Sequence, residues 1–353
     1  MKAQHDPKPS LIADIPMKSE TSPPTTFKSQ ISIGDRVDKQ GQQALQIRNI
    51  LVPVDFSAPS LRALEFALPL VRHFSADLHL IHVFATDHPF TGLVGMPFML
   101  PELEISRSLH EQLKDVAQKY SIHVDPENLH ALKGRAFEEI CRLSHDTSTD
   151  LIVIATRGNT GLKHLALGST AERIVRHSSC PVLVTHGSKP PGAVIAFRKI
   201  LVPTDFSECS MKGVIYAKTF AKHFKSKITL LNSVHFQYYV ASDECARYDL
   251  PRLMQHADVF ARDQMRELFE KTDWEGLDVE TSLQTGHPGQ QICEHARDSD
   301  VDLIVISTHG STGLTHLLLG SVAEYVVRHA HCPVLVIPTR PSMAAVTGQD
   351  ARA

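Results

Sequence analysis

Six cysteines are spread through this 353-residue chain without one Cys-x-x-Cys pair, which excludes a zinc knuckle or a thioredoxin-type redox site. No apolar run reaches the roughly 18 residues that a membrane-spanning helix needs. Residues 1–46 are rich in Pro, Ser, Thr, Lys and Gln and lack the unbroken apolar core of a secretory signal, so they read as a disordered tail. Charge is nearly balanced, with 36 Lys and Arg against 39 Asp and Glu, and a net −3 draws the chain to neither nucleic acid nor an anionic membrane. These absences together predict a cytoplasmic protein without a nucleic-acid or membrane partner. Catalytic signatures are missing as well: there is no G-x-x-x-x-G-K-(S/T), no kinase catalytic loop and no G-x-S-x-G elbow.

What is present is a repeat. Asp150 to Val184 (DLIVIATRGNTGLKHLALGSTAERIVRHSSCPVLV) aligns without a gap on Asp302 to Val336 (DLIVISTHGSTGLTHLLLGSVAEYVVRHAHCPVLV). Each copy opens with an apolar run of buried-strand type, Leu151 to Ala155 and Leu303 to Ile306, followed by a glycine-bearing loop, a helix and a strand. The loops run from Gly158 through nine residues to Gly168-Ser169, and from Gly310 through nine to Gly320-Ser321. Ser169 with Glu172, and Ser321 with Glu324, have the S-x-x-E spacing of a capping box. The same helix start, preceded by glycine, also gathers unpaired amides and positive dipole where a phosphate would bind. On the residues alone, a capped helix and an anion site both stand.

The repeat extends over two domains of about 140 to 150 residues. Each begins with an apolar strand that ends in a single carboxylate: Pro53-Val54-Asp55-Phe56-Ser57 and Pro203-Thr204-Asp205-Phe206-Ser207. Asp55 and Asp205 either cap the following helix or contact a ligand above the sheet's carboxyl edge. Helices are expected near 60–74 and 210–224, strands at 78–84 and 228–234, helices at 104–120 and 252–272, and strands near 129–132 and 279–284. Gly134 and Gly286 introduce one further helix pair, ending near His145 and Arg297. The alternation predicts a parallel sheet covered on both faces, with the ligand crevice at the carboxyl ends of the first and fourth strands. The two copies diverge at 90–103 and 236–253, a lid, a partner surface or simple packing.

Cys141, Cys180, Cys293 and Cys332 recur between copies beside buried strands and read as small core residues. His177 and His329, next to Arg176 and Arg328, sit where a helix C-terminus welcomes donors; with His164 and His316 they are read as surface or capping residues, not metal ligands. The last strands, Pro181 to Thr185 and Pro333 to Ile337, would leave apolar edges exposed, so they are expected to pair with each other across the Lys189-Pro190-Pro191-Gly192 linker.

Val-Pro-x-Asp-Phe-Ser at the first strand, with Gly-x9-Gly-Ser, Ala-Glu and Arg-His-x-x-Cys-Pro-Val-Leu-Val later, resembles the universal stress protein family in a tandem two-domain form. The resemblance spans residues 47–186 and 198–338, leaving 187–197 as linker and 339–353 as a second tail. It implies two five-stranded Rossmann-like parallel sheets in the order 3-2-1-4-5, and ATP, with or without Mg2+, as the ligand of the nucleotide-binding branch. Carried over, Asp55 and Asp205, with Pro53, Val54, Pro203 and Thr204 around them, face the adenosine. Val83 offers backbone to the adenine edge, and Ser233 or Val234 does so in the second domain. Arg157, Gly158, Gly168, Ser169 and Thr170 take the phosphates in the first domain, and His309, Gly310, Gly320, Ser321 and Val322 in the second. Ala155 and Ser307 stand where the family pattern has its first glycine, which weakens the ribose contact. If only one site is filled, the second is expected, because Ser307-Thr308-His309-Gly310 stays small and polar where the first loop carries Ala155 and Arg157. The expected function is a nucleotide-dependent regulator with at most slow ATP hydrolysis; a nucleotide-free scaffold, alone, self-associated or bound to another protein, is the alternative.

Overall fold

The computed structural model describes residues 46–85, 102–156, 167–186, 196–235, 250–310 and 319–338. Its strands are β1 (Asn49–Pro53), β2 (Asp77–Phe84), β3 (Leu129–Lys133), β4 (Leu151–Ala155) and β5 (Val182–Thr185), then β6 (Lys199–Pro203), β7 (Lys227–Val234), β8 (Val279–Thr285), β9 (Leu303–Ser307) and β10 (Val334–Ile337). All ten form one sheet in the order β3-β2-β1-β4-β5-β10-β9-β6-β7-β8. Each half is therefore parallel in the order 3-2-1-4-5. The halves join where β10 runs antiparallel to β5, with Val334 opposite Val184, Leu335 opposite Leu183 and Val336 opposite Val182. The apolar edges expected to find each other do so.

The helices are α1 (Ala58–Phe74), α2 (Glu102–Lys119), α3 (Ala136–Asp146), α4 (Ser169–His177), α5 (Glu208–Phe224), α6 (Leu250–Lys271), α7 (Pro288–Asp298) and α8 (Ser321–His329). They divide between the faces because side chains alternate along each strand. Ile50 and Val52 enter a core with α1, α2, α5 and α6, while Leu51 points into another with α3, α4, α7 and α8. Both cores run unbroken through the two halves. Phe197, assigned to the linker by its sequence neighbours, is buried and packs edge-on against Phe224 at 5.1 Å. The recurring cysteines are core residues, with burial pushing Cys180 up to about 12 and Cys141 and Cys293 to about 11. Such thiols stay protonated and unreactive. Cys245, His164, His316, the stretch 1–45 and most of both divergent segments lie outside the described residues.

On one face of the junction the ends of α1 and α5 meet through Phe74, which lies 5.5 Å from Phe220 and 6.2 Å from Phe224. On the other face, α4 and α8 close a four-membered ring of charge. Arg176 lies 2.9 Å from Glu172 and 3.5 Å from Glu324; Arg328 lies 3.0 Å from Glu324 and 3.1 Å from Glu172. Arg176 and Arg328 thus serve the opposite half in addition to their own helix ends. The His186 Nε2–H donates to Val327 O at 2.9 Å beside them.

At the outer edge, His79 Nδ1 lies 3.3 Å from His130 Nε2. Burial, then the neighbouring His79 and His110, holds His130 down to about 4, and burial lowers His79 against the opposing pull of Asp77. The unfolded chain therefore binds more protons than the folded one below the ordinary imidazole value. Stability conferred by the neutral pair is complete above about pH 6.5 and is lost as pH falls towards 4. Discounted for partial exposure, the loss should be about 1–2 kcal/mol. Urea unfolding at pH 7 and pH 4.5 should show this fall in wild type and a smaller one in His130→Gln; equal falls would refute it.

Candidate nucleotide-binding site

The site begins at the turn after β1. Phe56 adopts φ 61° and Phe206 φ 63°, left-handed values that a bulky residue resists. This turn leaves Asp55 at the carboxyl edge of the sheet and lets Ser57 cap α1, its hydroxyl accepting from Ser60 N at 3.3 Å. Asp55 Oδ1 accepts from the Ser57 amide at 3.0 Å and its hydroxyl at 2.5 Å. The second half repeats this: Ser207 caps α5 and donates to Asp205 Oδ1 at 3.1 and 2.6 Å. The aspartates are thus not the caps but the groups that orient them. Thr204 works inside the turn, its hydroxyl accepting from Phe206 N at 3.0 Å.

The fourth strands deliver the loops. Gly168 N–H donates to Thr156 O at 2.7 Å, and Gly320 N–H to Thr308 O at 2.8 Å, closing each loop on the end of its own strand. A Cβ on Gly320 would fall 2.9 Å from Thr308 O, and one on Gly310 would fall 2.4 Å from Asp205 Oδ2. The second contact brings the loop and the first-strand carboxylate of the second half together. There, Ser307 Oγ donates to His309 O at 2.8 Å, while His309 Nδ1 lies 3.0 Å from Thr308 Oγ1.

The capping boxes do not form. Gly168 and Gly320 are the N-caps, Ser169 and Ser321 occupy the first helical position, and neither helix has a side-chain cap. Glu172 and Glu324 do not reach back because both carboxylates are drawn into the ring of charge between the halves. Ser169 and Ser321 are left exposed at their helix starts, and Val322 packs its side chain against the second core.

In the first half one cleft of about 140 Å³ is lined by Pro53, Val54, Asp55, Val83, Ala155, Gly168, Ser169 and Thr170. Every described residue nominated there by the sequence lines it; Arg157 and Gly158 lie outside the described residues. Sequence reasoning missed His82, whose Nδ1–H donates to Val54 O at 2.7 Å beneath the Phe56 ring, 4.7 Å away. Its counterpart Asn232 donates to Thr204 O at 2.8 Å. A second histidine three residues after the first in β2, with an asparagine at the same place in β7, was the available signal. The register also fixes the equivalence left open between the halves: Gly134 pairs with Phe84 and Gly286 with Val234, so Ser233, not Val234, is the counterpart of Val83.

This geometry can be set beside known proteins. The pattern of the universal stress protein family matches residues 46–186 and 196–338. The chain belongs to the universal stress protein family. A universal stress protein of Mycolicibacterium smegmatis is 26% identical over 303 residues, covering 82% of this chain and 97% of its own, so the relationship runs through both halves. A solved universal stress protein from Archaeoglobus fulgidus DSM 4304 superposes with a TM-score of 0.56 over 83% of this chain and 99% of its own at 23% identity. A universal stress protein solved in complex with cAMP matches 41% of this chain and 99% of its own, at 23% identity and a TM-score of 0.30. No helix among the described residues is long and apolar enough to cross a membrane, and no group of three or more His, Cys, Asp or Glu among them is arranged to hold a metal.

Proposed function

We propose that this universal stress protein binds an adenine nucleotide, ATP with or without Mg2+, in one or both halves and acts as a cytoplasmic nucleotide-dependent stress regulator without fast turnover. The observation that carries this reading is the convergence of the nominated first-half residues, from three separate strand ends and one helix start, on a single cleft. Asp55 and Val83 flank the place for the nucleoside, and the Gly168–Thr170 helix start, with no side-chain cap, supplies amides for phosphate. In the second half, Asp205 with Gly310, and Ser321 with the backbone of Val322, occupy the equivalent places. Ligand at about a hundred times its Kd would stabilise the binding conformation by about 2.7 kcal/mol, which is how occupancy becomes a signal.

Denaturing the purified protein and identifying what is released tests this, followed by calorimetric titration of the stripped chain with ATP. Released adenine nucleotide and binding at up to two sites per chain are expected. Absence of binding at millimolar ATP would favour the scaffold reading, to which α6 lends one observation: Val259 and Phe260 are 51% and 63% exposed on its surface.

A further inference from the structure

The first-half cleft opens outward into a larger one of about 570 Å³, with which it shares Val83, Ala136, Ser169 and Thr170. Three cations line this outer part: Lys133 at the end of β3, Arg135 at the cap of α3, and Arg173 in α4. Lys133 lies 2.9 Å from Glu102 and Arg135 3.3 Å from Glu138, exposed pairs that a phosphate displaces at little cost. Glu139, also in the lining, is held by Arg142. Arg173 has no carboxylate partner among the described residues. Its guanidinium carbon sits 5.0 Å from the centroid of the Phe137 ring, a seat that steadies the cation at the rim and keeps its donors available.

The second half has replaced all four of these residues. The register of β8 and the repeat alignment put Thr285, His287, Gly289 and Tyr325 at the places of Lys133, Arg135, Phe137 and Arg173. Tyr325 lies down over Gly289, where a Cβ would be 2.7 Å from the ring. It also stacks on His329 at 4.1 Å and meets His287 at 5.5 Å. The tyrosine ring takes the room left by the absent phenylalanine side chain, and none of these four places holds a permanent cation.

We infer that the first half reads the number of phosphates on its nucleotide, with Arg173, seated on Phe137, as the specificity-determining residue, and that the second half does not. This rests on the nucleotide reading of the cleft. A guanidinium grips a terminal phosphate with two parallel charge-assisted hydrogen bonds, and on this inference the phosphates beyond the first are the ones that reach it. Lysine keeps the charge but loses both the fork and the flat seat.

The experiment titrates the stripped full-length chain with ATP and with AMP, in wild type, Arg173→Ala, Arg173→Lys and Tyr325→Ala. Arg173 is exposed, so unchanged melting temperatures are expected for its variants. Arg173→Ala should weaken ATP about tenfold at one site while AMP is unaffected, consistent with one lost charge-assisted contact. Arg173→Lys should fall between, and Tyr325→Ala should leave the ATP-to-AMP ratio at both sites unchanged. Wild-type ATP affinity in Arg173→Ala, or equal losses for ATP and AMP, overturns the inference. A wild type that binds ATP and AMP equally at both sites also overturns it while leaving the nucleotide reading intact; one that binds neither removes both.

Discussion

Replacing Gly320 by valine should erase nucleotide binding from the second half and leave the first half as it was. The glycine sits at an ordinary helix-cap conformation, φ −58° and ψ 142°, so the new residue meets no backbone strain of its own and the chain should fold. The obstacle is external. Its Cβ would lie 2.9 Å from Thr308 O, a backbone atom that cannot swing aside, so the loop must lift from the strand end and carry the helix-start amides away from the phosphate position. The hydrogen bond from Gly320 N to Thr308 O would be lost with it. Calorimetric stoichiometry should drop by the contribution of one site. Gly213→Ala is the control: its Cβ would be 3.6 Å from Val305 O, ordinary contact, and helix propensity should add up to about 1 kcal/mol without touching the ligand. Unchanged stoichiometry in Gly320→Val would show that phosphate does not sit on this loop.

Much of this arrangement was legible in the residues, and what was not has physical causes. The alternation of strands and helices, with the family's motifs, led to the 3-2-1-4-5 order, and the apolar last strands pointed to their own pairing. The capping boxes misled because S-x-x-E leaves out what else the glutamates can reach: an arginine one turn further along each helix, Arg176 for Glu172 and Arg328 for Glu324, and a partner in the other half, such as Arg328 for Glu172 156 residues away. Phe197 was lost to the linker because the Pro-Pro-Gly run before it draws the boundary forward, although its burial shows that the domain starts there. The equivalence of Ser233 with Val83 needed the sheet register, since β2 and β7 are both apolar runs in which a one-residue slip changes little. The exchange of Phe137 and Arg173 for Gly289 and Tyr325 was hidden for a different reason. Each pair makes sense only once α3 is known to pack against α4, and α7 against α8.

The junction of the halves should be the most sensitive place in the molecule for stability, and Leu335→Asp should show it. Leu335 faces Leu183 across the β5–β10 ladder, and both are completely buried in the core shared by α1 and α5. A carboxylate placed there has no cation within that apolar core, so it either desolvates its charge or takes up a proton, and either route should cost more than about 4 kcal/mol. The ring formed by Arg176, Glu172, Arg328 and Glu324 makes a useful contrast. Its side chains are 25–32% exposed, and removing one carboxylate by Glu172→Gln should cost about 1 kcal/mol or less. Because both cores pass through the junction without a break, the loss in Leu335→Asp should not stay in the second half. Calorimetric unfolding should move down by roughly 10 °C or more for the whole transition, whereas Glu172→Gln should shift it by only a few degrees. A Leu335→Asp protein that melts in two steps, with one at the wild-type temperature, would mean that the halves are stable separately and that the antiparallel ladder merely tethers them.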